Sequence, residues 1–217
     1  MPDCCELDNK ELDLEKKKEL KQIFIVVLVI NFVMFVTEFI GGIISSSNAL
    51  LADSLDMLGD ALVYGISLFV INRPSNIRAK ASLIKGFLML LLGSFVVYKS
   101  ILKIITPTIP QAETITLLGI FALVANLVSF LLLMKRRKED INIRSAWICS
   151  RNDVIANIAV IGAGTLVSFF NSAWPDILVG LGISVLIIQS SVQVIIEGYK
   201  HSFVKKEVKN TDKVITL

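Results

Sequence analysis

Charge is missing from most of this chain, and where it is missing decides the class of protein. Only 19% of the 217 residues are charged while 54% are hydrophobic, and the mean hydropathy is +0.70. An average soluble domain is about 25% charged and 45–50% apolar. The charges crowd into the first 21 residues, 73–85, 135–144 and the last 18, which excludes an ordinary soluble domain and leaves a membrane protein. The net charge of +3 is a sum over loops and tails with no basic stripe, so nucleic acid is not a partner. Apolar–polar alternation is absent from the long runs, which excludes a transmembrane β-barrel. The first apolar run is too long for a removed signal peptide, and no small-residue cleavage site closes it. Cysteine is limited to Cys4, Cys5 and Cys149, so no disulfide framework is expected.

What is present is a series of uncharged stretches, each long enough for the roughly 20 residues that span a bilayer core. They cover about 22–44, 48–72, 81–105, 113–134, 146–170 and 176–197, and they are expected to be helices because every backbone group must be satisfied internally in lipid. The punctuation is "SSSN", "NRPSN", "TPTIP", "KRRKED" and "NSAWPD", turn formers and charges in each case. The expected architecture is therefore an all-α, multi-pass integral membrane protein of a cell or inner membrane. A tail at 1–21 precedes a six-helix domain at 22–197, and a short tail at 198–217 follows. Lysine and arginine fall in both tails and in the second and fourth loops, whereas 45–48, 106–112 and 171–175 have none. The positive-inside rule then places both termini in the cytosol. Lys99 and Lys103 are an exception, expected to snorkel to the outer interface, and Lys85 and Arg151 are expected to snorkel at cytosolic span ends.

Against this background the acids within the spans stand out. Asp53, Asp56 and Asp60 in "ALLADSLDMLGDALVYG" are at i, i+3 and i+7, on one side of a helix that advances about 100° per residue. A charge near the bilayer centre costs at least about 2.5–3.5 kcal/mol, and with basic partners scarce the compensator for convergent carboxylates is a cation from outside the chain. The fifth span supplies a second half in "WICSRNDVIAN", where Cys149 and Asp153 are i and i+4 and Asn157 continues the face. Asp56, Asp60, Cys149 and Asp153 together make a set of three oxygen ligands and one sulfur ligand, which suits zinc or cadmium.

Other residues have two readings each. Asp53 is an accessory ligand or an acid favoured by the dipole of a helix N-terminus. Glu38, with Gly41 and Gly42 below it, serves close helix packing or lies near an ion path. Asp176 follows Trp174 and Pro175, so it is expected to cap its own helix. Cys4 and Cys5 are a soft-metal pick-up point on a mobile tether or are incidental. An intramembrane aspartyl protease would also place two aspartates on separate helices, but here they come as i, i+4 pairs with a thiol and no Gly-x-Gly-Asp signature is present.

These stretches, with Asn31, Glu38, Gly41 and Gly42 of the first span, resemble the cation diffusion facilitator family over roughly residues 22–197. In that family the second and fifth helices each give an acid or histidine followed four residues later by an aspartate, positions that match Asp56 and Asp60, and Cys149 and Asp153. The resemblance implies export of divalent transition-metal cations from the cytosol in exchange for protons, with the metal as transported substrate and no cofactor or enzymatic activity. The chain departs from the pattern at Cys149, where His or Asp is usual, and in lacking a histidine-rich fourth loop. Only about 20 residues follow the sixth span, too few for the cytosolic domain of many members, so a homodimer would rest on the membrane part. The alternative is a metal-binding sensor or scaffold subunit without transport.

Overall fold

The computed structural model describes the backbone of residues 4–70, 75–136 and 141–215. Its elements are α1 (Cys4–Ser45), α2 (Asn48–Val70), α3 (Ser75–Ile105), α4 (Ala112–Arg136), α5 (Ile141–Phe170) and α6 (Trp174–Ile215). The helices run up and down, so one end of the bundle is the terminal end and the other carries the short turns after α1, α3 and α5. Every expected span falls on a helix of its own. The tails differ from expectation: residues 4–21 continue α1 instead of forming a loose tether, and α6 runs on through the second tail. Strong helix formers dominate "ELDLEKKKELKQ", which accounts for the continuation. The side chains of Cys4 and Cys5, and of Arg73, Arg78 and Lys80, lie outside the described residues.

Among the described residues, five helices carry an apolar window long enough to cross a membrane: Lys18–Ser45, Leu83–Ile105, Ala112–Lys135, Cys149–Phe170 and Trp174–Ile196. The exception is α2, since every 18-residue window within it contains Asp53, Asp56 and Asp60. It is instead the helix most enclosed by its neighbours, packing against α1, α3, α4, α5 and α6. An acid-bearing helix that lipid would reject is stable there because protein surrounds it.

Helix packing follows the small residues. A Cβ on Gly164 of α5 would meet Thr116 Oγ1 of α4 at 2.5 Å, and one on Gly86 of α3 would meet Ile195 of α6 at 2.7 Å. Where lipid is as apolar as the side chains, such close backbone approach is what holds helices together. Among the described residues α3 touches only α6, along most of its length, and α2. The bundle is thus α1, α2, α4 and α5, with the α3–α6 pair laid against it.

At the turn end a polar cluster ties these two parts together. Ser46 adopts a left-handed φ of 55° and closes α1, with Ser47 N donating to Gly42 O at 2.9 Å. Ser47 Oγ then accepts from Leu50 N at 3.1 Å, a side-chain cap on α2. Asp176 of α6 does not cap its own helix as expected; its carboxylate accepts from Asn48 N at 2.9 Å, from Ala49 N at 3.1 Å and from Ser47 Oγ. Lys103 does not snorkel either. It is buried, pairs with Asp176 at 2.8 Å and donates to Ser46 O. The antiparallel layout explains both corrections, because it brings the starts of α2 and α6 and the end of α3 to one point. Lys99 is exposed, as expected.

Gly180 of α6 sits against this cluster, where an added Cβ would lie 2.7 Å from Asn48 C and 2.8 Å from Asn48 O. Backbone cannot yield as a side chain can, so Gly180→Ala is expected to cost about 1–3 kcal/mol. It should lower the thermal midpoint of the purified protein by several degrees. Gly182→Ala, with nothing within 4 Å, is the control and should leave the midpoint unchanged.

Candidate metal centre

The acids of α2 and α5 lie on facing surfaces of antiparallel neighbours. Asp153 feels the charges of Asp60, Asp56 and Asp53, and Cys149 feels those of Asp60, Asp153 and Asp56. The four residues expected as ligands therefore share one neighbourhood in the apolar interior. Among the described residues, no three His, Cys, Asp or Glu side chains stand close enough to hold one ion. They are neighbours rather than an assembled coordination shell. Asp53 lies nearer the start of α2, and Asn157 turns back on its own helix to donate to Asp153 O at 2.7 Å, leaving its Oδ1 buried without a partner among the described residues.

Two further side chains complete the neighbourhood: Tyr64, which the sequence reading passed over, and Lys85, which it named with Arg151 and expected to snorkel. Tyr64 is four residues after Asp60, on the same face, and its buried hydroxyl donates to Asp60 Oδ2 at 3.1 Å. Lys85 of α3 does not simply snorkel to a span end. Met89 packs on Gly59, whose Cβ would meet Met89 Cε at 2.8 Å, and Lys85 lies one turn from Met89 on the same face. There its ammonium interacts with Asp60, Cys149 and Asp56. The spacing of Tyr64 from Asp60 was visible in the sequence; the approach of α3 was not. Arg151 behaves as expected, exposed and with its guanidinium 5.9 Å from the Trp147 ring centroid.

Glu38 and Asp53 form a separate pair. Both are buried, 0% and 1% exposed, and their carboxyl groups face one another across α1 and α2. No N–H or O–H donor among the described residues reaches either Glu38 oxygen or Asp53 Oδ2. Asp53 is thus a buried interhelical acid rather than an acid at a helix start. Two facing carboxylates in a low-dielectric interior repel strongly unless a proton or cation lies between them.

Access to the neighbourhood is one-sided. From Ala49 to Leu55 every residue of α2 is buried, whereas Asp56, Asp60, Lys85 and Cys149 keep partial exposure.

A cation entering this space meets Lys85 as its one opposing charge among the groups that act on Asp56 and Asp60. Lys85→Gln is expected to tighten cadmium binding about tenfold, or 1.4 kcal/mol. That is modest beside the roughly 4 kcal/mol between unit charges 4 Å apart at an effective dielectric of 20. Competition against a metal indicator measures it, and an unchanged affinity would put Lys85 outside the field of the site.

The profile of the cation efflux transmembrane domain matches residues 24–201. The chain is 26% identical over 197 residues to the cadmium, cobalt and zinc/H(+)-K(+) antiporter of Bacillus subtilis (strain 168), covering 79% of this chain and 63% of that protein. It is 22% identical over 192 residues to the metal cation efflux system protein CzcD of Cupriavidus metallidurans, covering 80% and 61%. With the zinc transporter ZitB of Pectobacterium atrosepticum it shares 27% over 176 residues, covering 75% and 55%. The chain thus spans about three-fifths of the length of the curated relatives it matches. With that profile covering most of its length, on a six-helix bundle whose second and fifth helices face each other with acids, the chain belongs to the cation efflux, or cation diffusion facilitator, family.

Proposed function

We propose that the chain exports divalent transition-metal cations of the zinc, cadmium and cobalt kind from the cytosol in exchange for protons, by alternating access around Asp56, Asp60, Cys149 and Asp153. The observation that carries this reading is the gathering of three carboxylates and a thiol, within one another's electrostatic reach, inside an apolar bundle. A divalent cation relieves that repulsion. Relatives named for cadmium, cobalt and zinc support the same class of ion.

The positive-inside rule supports reading the terminal end as cytosolic, and on that reading the metal loads from the terminal end. Metal displaces protons as it binds, because these ligands coordinate only when deprotonated. On the far side protons return and the metal leaves. Each proton charge crossing the membrane contributes about 2.3 kcal/mol per 100 mV, so an inward proton gradient drives the metal outward.

In liposomes carrying a metal-sensitive dye, wild-type flux should follow an imposed pH gradient with the potential clamped. Asp60→Asn and Asp153→Asn should each lower it at least a hundredfold while the protein still inserts, since a neutral amide keeps the volume and removes the charge. Flux at the wild-type rate in either variant would overturn the assignment. Binding without flux in the wild type would make the chain a sensor or scaffold.

Cys149 sets the softness of the site. A thiolate binds Zn²⁺ at about 2.3 Å, against about 2.0–2.1 Å for imidazole, and it favours soft ions over manganese or magnesium. Cys149→His should retain zinc flux and lower the cadmium-to-zinc ratio, while Cys149→Ser should lower both fluxes. Unchanged relative rates in Cys149→Ser would make the cysteine a packing residue.

A further inference from the structure

Among the described residues, the best-satisfied charges lie outside the candidate metal centre. At the turn end, the Asp176 carboxylate takes the amides of Asn48 and Ala49, the Ser47 hydroxyl and the Lys103 ammonium. Lys103 reaches past it to Ser46 O, and Asn48 Nδ2 donates to Ser100 Oγ at 3.0 Å. Residues of α3 and α6 thus clamp the α1–α2 turn. Beneath the clamp Ala49, Leu50, Leu51 and Ala52 are buried, and they separate it from the acids.

We propose that the Lys103–Asp176 pair, closed on the N-terminus of α2, is the gate of this transporter on the side where the ion leaves; the proposal rests on the transport reading above. Three features carry it. The pair joins two parts of the bundle that otherwise meet chiefly through α2 and, less, where α5 touches α6; among the described residues α3 packs only on α6 and α2. A way out along α2 toward the turn end requires the α3–α6 pair to part from the α2 N-terminus, and these bonds hold it there. All the groups involved lie at helix ends: Asn48 begins α2, Asp176 is in the first turn of α6 and Lys103 in the last turn of α3. When the clamp opens, water at the membrane surface can take over every bond it loses, which is not so for a polar cluster at the bilayer centre. The seal therefore has two low-energy states, one bonded to protein and one hydrated, whereas the apolar layer beneath it opens only by following.

Asn48 and Ser100, hydrogen-bonded across the α2–α3 boundary, give the direct test. Asn48→Cys with Ser100→Cys, in a Cys4→Ser, Cys5→Ser background, allows the clamp to be locked by oxidation. The oxidised protein should lose at least tenfold in flux and recover it on reduction, while its cadmium binding in detergent stays within twofold. A protein shown by mass spectrometry to carry the disulfide that transports at its reduced rate would overturn the gate. If the reduced protein and the wild type also fail to transport, the transport reading fails instead.

A second test needs no cross-link. A cysteine at Ala52 should react at least tenfold faster with an impermeant thiol reagent applied at the turn side when Asp176→Asn weakens the clamp. Lys103→Arg, which keeps the pair, should leave the slow rate unchanged. Equal rates in the Asp176→Asn and parent proteins would make the pair a static helix cap.

Discussion

A buried charge in an apolar bundle has to be compensated, and the ways this chain compensates its acids sort them by role. Asp176 is fully satisfied, by two backbone amides, a hydroxyl and an ammonium. Its desolvation is offset on every side within the closed clamp, so it needs no ion from outside the chain. The carboxylates of α2 and α5 have no such set. Asp60 has the Tyr64 hydroxyl and the more distant Lys85, and Asp153 Oδ2 has no hydrogen-bond partner among the described residues. Acids left short in a medium that penalises them point to a charge that comes and goes.

That difference also divides the bundle along its length. The turn end is closed by hydrogen bonds and close packing, from Ser46 to Leu55, and by the approach of Gly180 to Asn48. The middle is polar, and Asp56, Asp60, Lys85 and Cys149 keep partial exposure there. Small residues bring α4 onto α5 and α3 onto α6, and α2 lies between these pairs. The helix that lipid would reject for its three aspartates is the one that every other helix touches. The same three aspartates that bar it from lipid account for its position at the centre.

Cys149 and Lys85 give the site a character of its own. Three carboxylates alone would suit hard ions, and in the proposed ligand set the sulfur would shift the preference toward zinc and cadmium. Lys85 adds a positive charge beside Asp56 and Asp60, which weakens the field that an arriving cation meets.

The amino-acid sequence by itself determined the six helices, their order and the faces on which the acids stand. These follow from hydropathy and helical period, both local along the chain. The facing of Asp56 and Asp60 with Cys149 and Asp153 could be read because each pair is spaced four residues on one helix and the helices alternate in direction. Three things were left to the tertiary structure. Asp176 caps α2 rather than α6, Lys103 is buried in an ion pair rather than reaching for the surface, and Lys85 turns toward the acids. Each depends on which helix ends meet and which helix α3 packs against, and pairings between residues up to 129 positions apart leave no periodic trace. The Glu38–Asp53 contact is of the same kind: each acid is visible alone, but only the approach of α1 to α2 makes them a pair.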